Sequence, residues 1–244
     1  MNTKSYMVKV GPIDALIVRK RIKNVHVSVL PPSGKVRVTA PVEMKDDAIR
    51  VLLSTRLTWI NKQQAKFKNQ LRQTPREYVS GESHYLFGKR YQFEVYSEDR
   101  PPRVEIQNNR KILLFVRPGS SLAKREEVMT EWYRAELKTV AENLVQQWQK
   151  RIGVQVKGWS IKRMKTRWGT CNQQTGKILL NLELAKKPLS CVEYVVVHEL
   201  LHLIEKKHND RFVQLMTKYI PKWRSEKEEL NRFILSHEFW NYQE

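Results

Sequence analysis

Residues 195–204 read Val195-Val196-Val197-His198-Glu199-Leu200-Leu201-His202-Leu203-Ile204. Four-residue spacing on a helix puts both imidazoles on one face, with the Glu199 carboxylate beside them. In this pattern the two histidines can share a tetrahedral Zn²⁺, and Glu199 is placed to act as general base towards a zinc-activated water. The flanking valines and leucines make the helix apolar nearly all round, so it is expected to be buried. Two buried imidazoles and a carboxylate need partners to offset desolvation, and a metal supplies one. With six histidines in 244 residues, a chance match to the pattern is on the order of one in a hundred.

A catalytic zinc takes three protein ligands and leaves one position open. His208 is the favoured third ligand, because His-Glu-x-x-His followed by His after five residues has the spacing of metzincins. At the turn where metzincins place Gly this chain has Glu205, and no Met-turn is evident. The competing third ligand is a Glu from the following helix, Glu226, Glu228 or Glu229. His26, His84 and His237 lie outside the motif and receive no role.

Upstream of the motif, a period-3.6 pattern starts at Ser121 and runs through Val128, Trp132, Leu137, Val140, Leu144 and Trp148 until Gly153 stops it. That helix spans about 30 residues, or ~45 Å. Val154 to Lys165 and Ile178 to Leu184 read as two strands around the polar turn Asn172 to Gly176. Helices are expected from Ser190 to about Glu205, from Asp210 to Tyr219, and from Ser225 on. Towards the N-terminus, strand patterns cover Ile13 to Val18, Val25 to Val29 and Val36 to Thr39, the last two forming a hairpin around Pro31 to Gly34. Two helical runs follow, from Asp46 or Asp47 through Leu53 and from Leu57 to Phe67. A second strand-rich block contains Tyr85 to Phe87, Tyr91 to Tyr96, Val104 to Ile106 and Ile112 to Val116, with turns at Gly88-Lys89 and Asn108-Asn109. The expected class is therefore α+β, with a β-rich region with two central helices over 1–118 and a metal-binding catalytic region over 119–244. No internal repeat is visible in the sequence.

Composition narrows the setting. No run reaches 18 consecutive apolar residues and no apolar segment follows the first residues, so neither a membrane span nor a secretory leader is expected, and the predicted location is the cytoplasm. Two cysteines, Cys171 and Cys191, are too few for a disulfide framework and are expected as free thiols. With 45 Lys and Arg against 25 Asp and Glu the chain carries +20 and a pI near 10.0. Such an excess attracts polyanions, so nucleic-acid association is an expectation, although a basic surface also serves solubility.

Several segments recur in order: Arg167-Trp168-Gly169-Thr170-Cys171, Ile178-Leu179-Leu180-Asn181, Pro188, Tyr194 through His202, and His208-Asn209-Asp210-Arg211-Phe212. Upstream stand Val36-Arg37-Val38-Thr39-Ala40-Pro41, Trp59-Ile60, Gly81-Glu82 and Leu86-Phe87-Gly88-Lys89-Arg90-Tyr91. Taken together the chain resembles the YgjP-like metal-dependent hydrolase family, related to SprT and other M48-type zincins, over nearly its whole length. A typical member has Ser where this chain has Thr170, which keeps the hydroxyl. The resemblance implies a zincin-like catalytic half, one zinc per chain and a metallopeptidase activity. It also implies, as an alternative, a pyrophosphatase acting on nucleoside triphosphates such as UTP.

Arg163, Lys165 and Arg167 alternate, and in an extended strand they would share one face, where three cations beside a metal could hold phosphates or a nucleic-acid backbone. The same residues would equally serve as a basic edge that discourages strand pairing. Trp168 and Gly169 are expected as core and as a tight turn, and Cys171 as a small buried side chain or an accessory ligand. Three functions follow: a peptidase on peptide or protein, a nucleotide pyrophosphatase on the same metal, and a nucleic-acid-associated zinc module. Intact Glu199 argues against the last, since a structural zinc needs no base.

Overall fold

The structure, a computed structural model, describes residues 5–30, 33–68, 76–164 and 167–232. The chain divides between residues 73 and 74 into two compact units.

In the first unit four strands, β1 (Ser5–Val10), β2 (Ile13–Lys20), β3 (His26–Leu30) and β4 (Lys35–Pro41), form a sheet in the order β1-β2-β4-β3. β2 runs parallel to β4, and the outer pairs are antiparallel. Period-2 alternation turns Val8, Ile13, Ala15, Ile17, Val29, Val36, Val38 and Ala40 into one face. That face packs with Ile49 and Leu53 of α1 (Asp46–Thr55) and Ile60 of α2 (Leu57–Lys68). β1 has no counterpart among the strands expected from sequence. Its inward residues Tyr6, Val8 and Val10 alternate with Ser5, Met7 and Lys9, but an apolar Met7 on the exposed face masks the period, and the pairing with β2 shows it.

The second unit repeats that connectivity. β5 (Ser83–Leu86), β6 (Lys89–Ser97), β7 (Arg103–Gln107) and β8 (Lys111–Val116) take the order β5-β6-β8-β7, again with a parallel central pair. α3 (Leu122–Ile152) is capped by the Ser121 hydroxyl, which accepts from the Lys124 N–H, and ends at Gly153 in the left-handed region. The buried stripe of α3 is Met129, Tyr133, Leu137, Ala141, Val145, Trp148 and Ile152. Most of the bulky residues singled out in the sequence, Val128, Trp132, Val140 and Leu144, flank this stripe and are half-buried. β9 (Gly158–Lys162), β10 (Gly169–Asn172) and β11 (Lys177–Asn181) form a three-stranded sheet in the order β10-β11-β9, followed by a 3₁₀ turn at Leu182–Lys186. α4 (Leu189–Leu201), α5 (Asp210–Tyr219) and α6 (Trp223–Arg232) complete the unit.

A single hydrophobic core joins β5–β8, α3, β11 and α4. The sequence changes from strand to helix at 118/119, yet the core continues across that point. The Phe87-Gly88 hairpin turn links this sheet to the helix of the His-Glu-x-x-His motif. The Phe87 N–H donates to the Ala185 carbonyl at 2.8 Å, and a Cβ on Gly88 would stand 2.9 Å from Pro188, which opens α4. Both turn residues have positive φ, as a two-residue turn of this kind requires. No helix among the described residues is long and apolar enough to cross a membrane. The overall class is a mixed α+β fold with several small sheets and six helices among the described residues.

Candidate metal centre

From Cys191 to Leu201 every residue of α4 but Glu193 is buried, so His198 and Glu199 are enclosed at 4% and 3% exposure. The helix ends at Leu201 rather than near Glu205 as the sequence suggested. His202 caps it in a helical conformation, and the chain then tightens through Leu203 N–H to Leu200 O at 3.0 Å and Ile204 N–H to Leu201 O at 2.9 Å. Glu205 is not in the left-handed region, so this turn needs no glycine. The turn delivers His208 to the residue before Asn209, whose side chain caps α5 by accepting the Phe212 N–H at 3.0 Å.

The three imidazoles converge. His198, His202 and His208 bring their Nε2 atoms within 3.2, 3.0 and 3.1 Å of one another. His202 Nδ1 lies 3.0 Å from the Glu205 carbonyl; donating to it leaves the Nε2 lone pair facing the other rings. Ligands ~2.0–2.1 Å from one ion at the tetrahedral angle stand about 3.3 Å apart, so the triangle has the size a small divalent cation requires. Burial, with the neighbouring imidazoles second, holds His198 well below the ordinary histidine range, and burial foremost lowers His202 and His208 as well. The neutral ring is the ligating form. Exposure rises from His198 to His208, so the cluster opens to solvent on one side. Among the described residues these three histidines form the group able to hold a metal ion, and Glu226, Glu228, Glu229 and Cys171 are not in it. Glu226 instead faces Cys191, its Oε2 3.6 Å from the thiol sulfur. Both cysteines are free thiols.

Phe212 lies against all three rings, with centroids 5.0, 4.8 and 4.8 Å from His198, His202 and His208. Glu199 touches β10: a Cβ on Gly169 would stand 2.5 Å from its Oε1, 2.6 Å from Cγ and 2.8 Å from Cδ. Gly169 thus lies within a strand and is small to admit the carboxylate, where the sequence suggested a tight turn. Burial pushes the Glu199 carboxyl up to about 8, opposed by the positive charge of Arg167.

The basic alternation is arranged differently from a strand. β9 ends at Lys162, and the fully buried side chain of Asn181 holds the backbone of Met164 and Arg167. Asn181 donates to the carbonyls of Met164 at 2.9 Å and Arg167 at 2.7 Å, and accepts from the N–H groups of Met164 and Glu183. Arg163 pairs with Glu126 at 2.8 Å, Arg167 is exposed, and Lys165 lies outside the described residues. Trp168 is core, as expected. His26 is exposed; His84 is buried, bonded to Glu82 at 2.9 Å and stacked on Phe93; His237 lies outside the described residues.

The YgjP-like metallopeptidase domain model matches residues 23–233. The chain belongs to the YgjP-like family. Membership in this metallopeptidase family fits a metal-dependent hydrolase, and the histidine triad supplies a place for the metal in the YgjP-like chain. Among solved structures, that of the metallopeptidase zymogen of Pyrococcus abyssi abylysin is similar over 37% of this chain and 90% of that one, at 20% identity and a TM-score of 0.35. No curated protein matches. Sequence reasoning missed what Phe212, Gly169 and Asn181 do. The one local signal was the N-cap Asn209, which fixes where α5 starts and hence where Phe212 points.

Proposed function

We propose that this YgjP-like chain is a zinc-dependent peptidase with a zincin-like site, in which His198, His202 and His208 hold the metal and Glu199 is the general base. Three neutral imidazole nitrogens with one open side suit zinc. When bound, zinc lowers the pKa of water and polarises a carbonyl oxygen. Glu199, enclosed on α4, accepts a proton from the attacking water and returns it to the departing amine.

The observation that carries the choice of peptide over nucleotide is the outer edge of β10. The Trp168 carbonyl accepts from the Asn181 N–H at 2.8 Å, which makes Trp168 and Asn181 a hydrogen-bonded pair. In an antiparallel ladder such pairs alternate, so Gly169 and Cys171 turn their N–H and C=O groups away from β11. That edge pairs with no other described strand. An extended peptide added there would bond to Gly169, directly beside Glu199. Arg163, by contrast, is already answered by Glu126, which removes one of the three cations that would favour a triphosphate.

The test is to incubate zinc-loaded protein with unfolded polypeptides and with nucleoside triphosphates, using Glu199→Gln as the blank. Cleavage of polypeptide that falls at least about 10²-fold in the variant, with zinc retained, supports the reading. Glu199-dependent hydrolysis of triphosphate alone would replace it with the pyrophosphatase.

A further inference from the structure

The chain's charge is unevenly distributed. Residues 1–73 contain fifteen Lys and Arg but four Asp and Glu, so +11 of the +20 resides in less than a third of the chain. In the first unit α1 and α2 cover one face of the sheet. The opposite face carries the alternate residues of each strand: Met7 and Lys9 on β1, Leu16 on β2, Lys35 and Arg37 on β4, Leu30 on β3. Cross-strand register sets Met7 opposite Leu16 and Leu16 opposite Arg37. Met7 is 61% exposed, and Leu16 and Leu30 37% each. Val18 is the one buried residue of this face among the described residues, so the accessible part lies towards the Gly11 turn.

The cations here are uncommitted. Lys9, Lys35 and Arg37 form no salt bridge among the described residues, and the buried Nε of Arg37 has no hydrogen-bond partner. Asp14, opposite Lys9, is the only acidic group among the described residues of this face.

We propose that the exposed face of this sheet binds a single strand of nucleic acid, RNA or DNA. Phosphodiesters answer Lys9, Lys35 and Arg37, while the apolar faces of unstacked bases cover Met7, Leu16 and Leu30. A duplex keeps its base faces stacked inside and would leave those three side chains against water. A bilayer surface calls for an amphipathic helix with its apolar face inserted among the acyl chains, whereas these apolar side chains lie within the plane of a sheet among longer lysines.

The test uses the full chain in titrations with fluorescent homopolymer RNA and DNA strands, the matching duplex, and vesicles containing phosphatidylserine, each at several salt concentrations. Both single strands are expected to bind, more weakly as salt rises, and their relative affinity identifies the natural sugar. Lys9→Glu with Lys35→Glu should weaken binding at least about tenfold and reduce the log–log salt slope by about 1.4, the value for two lost single-strand phosphate contacts. Met7→Ser, at an exposed position, should weaken it without changing the slope. Lys138→Glu with Lys150→Glu, the same charge change on exposed residues of α3, should leave the slope unaltered. Tighter binding to duplex or vesicles than to either strand, equal losses in the two double variants, or no binding at low salt would each overturn the proposal. Because binding is read without turnover, its outcome is independent of the peptidase reading.

Discussion

Gly169 is without a side chain because the Glu199 carboxylate occupies the room one would need. Adding a methyl at 2.5–2.8 Å from three Glu199 atoms leaves the carboxylate, itself 3% exposed, no option but to shift. Gly169→Ala is therefore expected to keep the metal and the fold but lose at least about tenfold in turnover, since a displaced general base forfeits part of its 10²–10⁴-fold contribution. Metal analysis, circular dichroism and kinetics on one preparation check all three. A second residue-scale consequence belongs to His84. Burial pulls its pKa down to about 4, with the Glu82 hydrogen bond opposing, so the native ring stays neutral where the unfolded ring takes up a proton. The unfolded state then binds more protons between pH 6.5 and 4, and stability falls as pH falls through that window, by about 3 kcal/mol in all. Urea unfolding across the window should show this loss in the wild type and a smaller one in His84→Gln. Parallel curves would remove His84 as the source.

Among the elements, the turn from α4 to α5 is held by one local bond that can be tested. Asn209→Ala removes the cap that accepts the Phe212 N–H, costing about 1 kcal/mol and loosening both His208 and the ring beneath the three imidazoles. Zinc affinity, measured by competition with a chromophoric chelator, should fall although the His-Glu-x-x-His motif is intact. Legibility followed the same division between near and far. α3 could be read almost to the residue, because Ser121, the apolar period and Gly153 act within a few positions of each other. The spacing of His198, His202 and His208 was legible for the same reason. What escaped came from distant partners: Glu199 against Gly169 thirty residues away, Asn181 gathering the backbone of Met164 and Arg167, and the parallel pairing of β9 with β11. Alternation from Arg163 to Arg167 looked like one strand because side-chain identities carry no mark of Asn181, which holds the carbonyls of Met164 and Arg167. β1 was hidden because an apolar Met7 on its exposed face masks the alternation of Tyr6, Val8 and Val10.

At the scale of the molecule, two separate cores share one connectivity. The core of the first unit is closed by its own residues, Ile13, Ile17, Val38, Leu53 and Ile60 among them. A fragment of residues 1–73 is thus expected to fold, with slow hydrogen exchange at the amides of β2 and β4, the central strands. Exchange as fast as in a denatured control would refute it. That the cores are distinct also bears on optics. Of seven tryptophans only Trp59 belongs to residues 1–73, and it is 39% exposed, whereas Trp148 and Trp168 are enclosed in the second core at 3% and 2%. Intrinsic emission from the intact protein will accordingly be dominated by the metal-bearing half, and melting of the basic half will pass almost unseen by that signal. An extrinsic dye or a tryptophan introduced on the sheet would be needed to watch it.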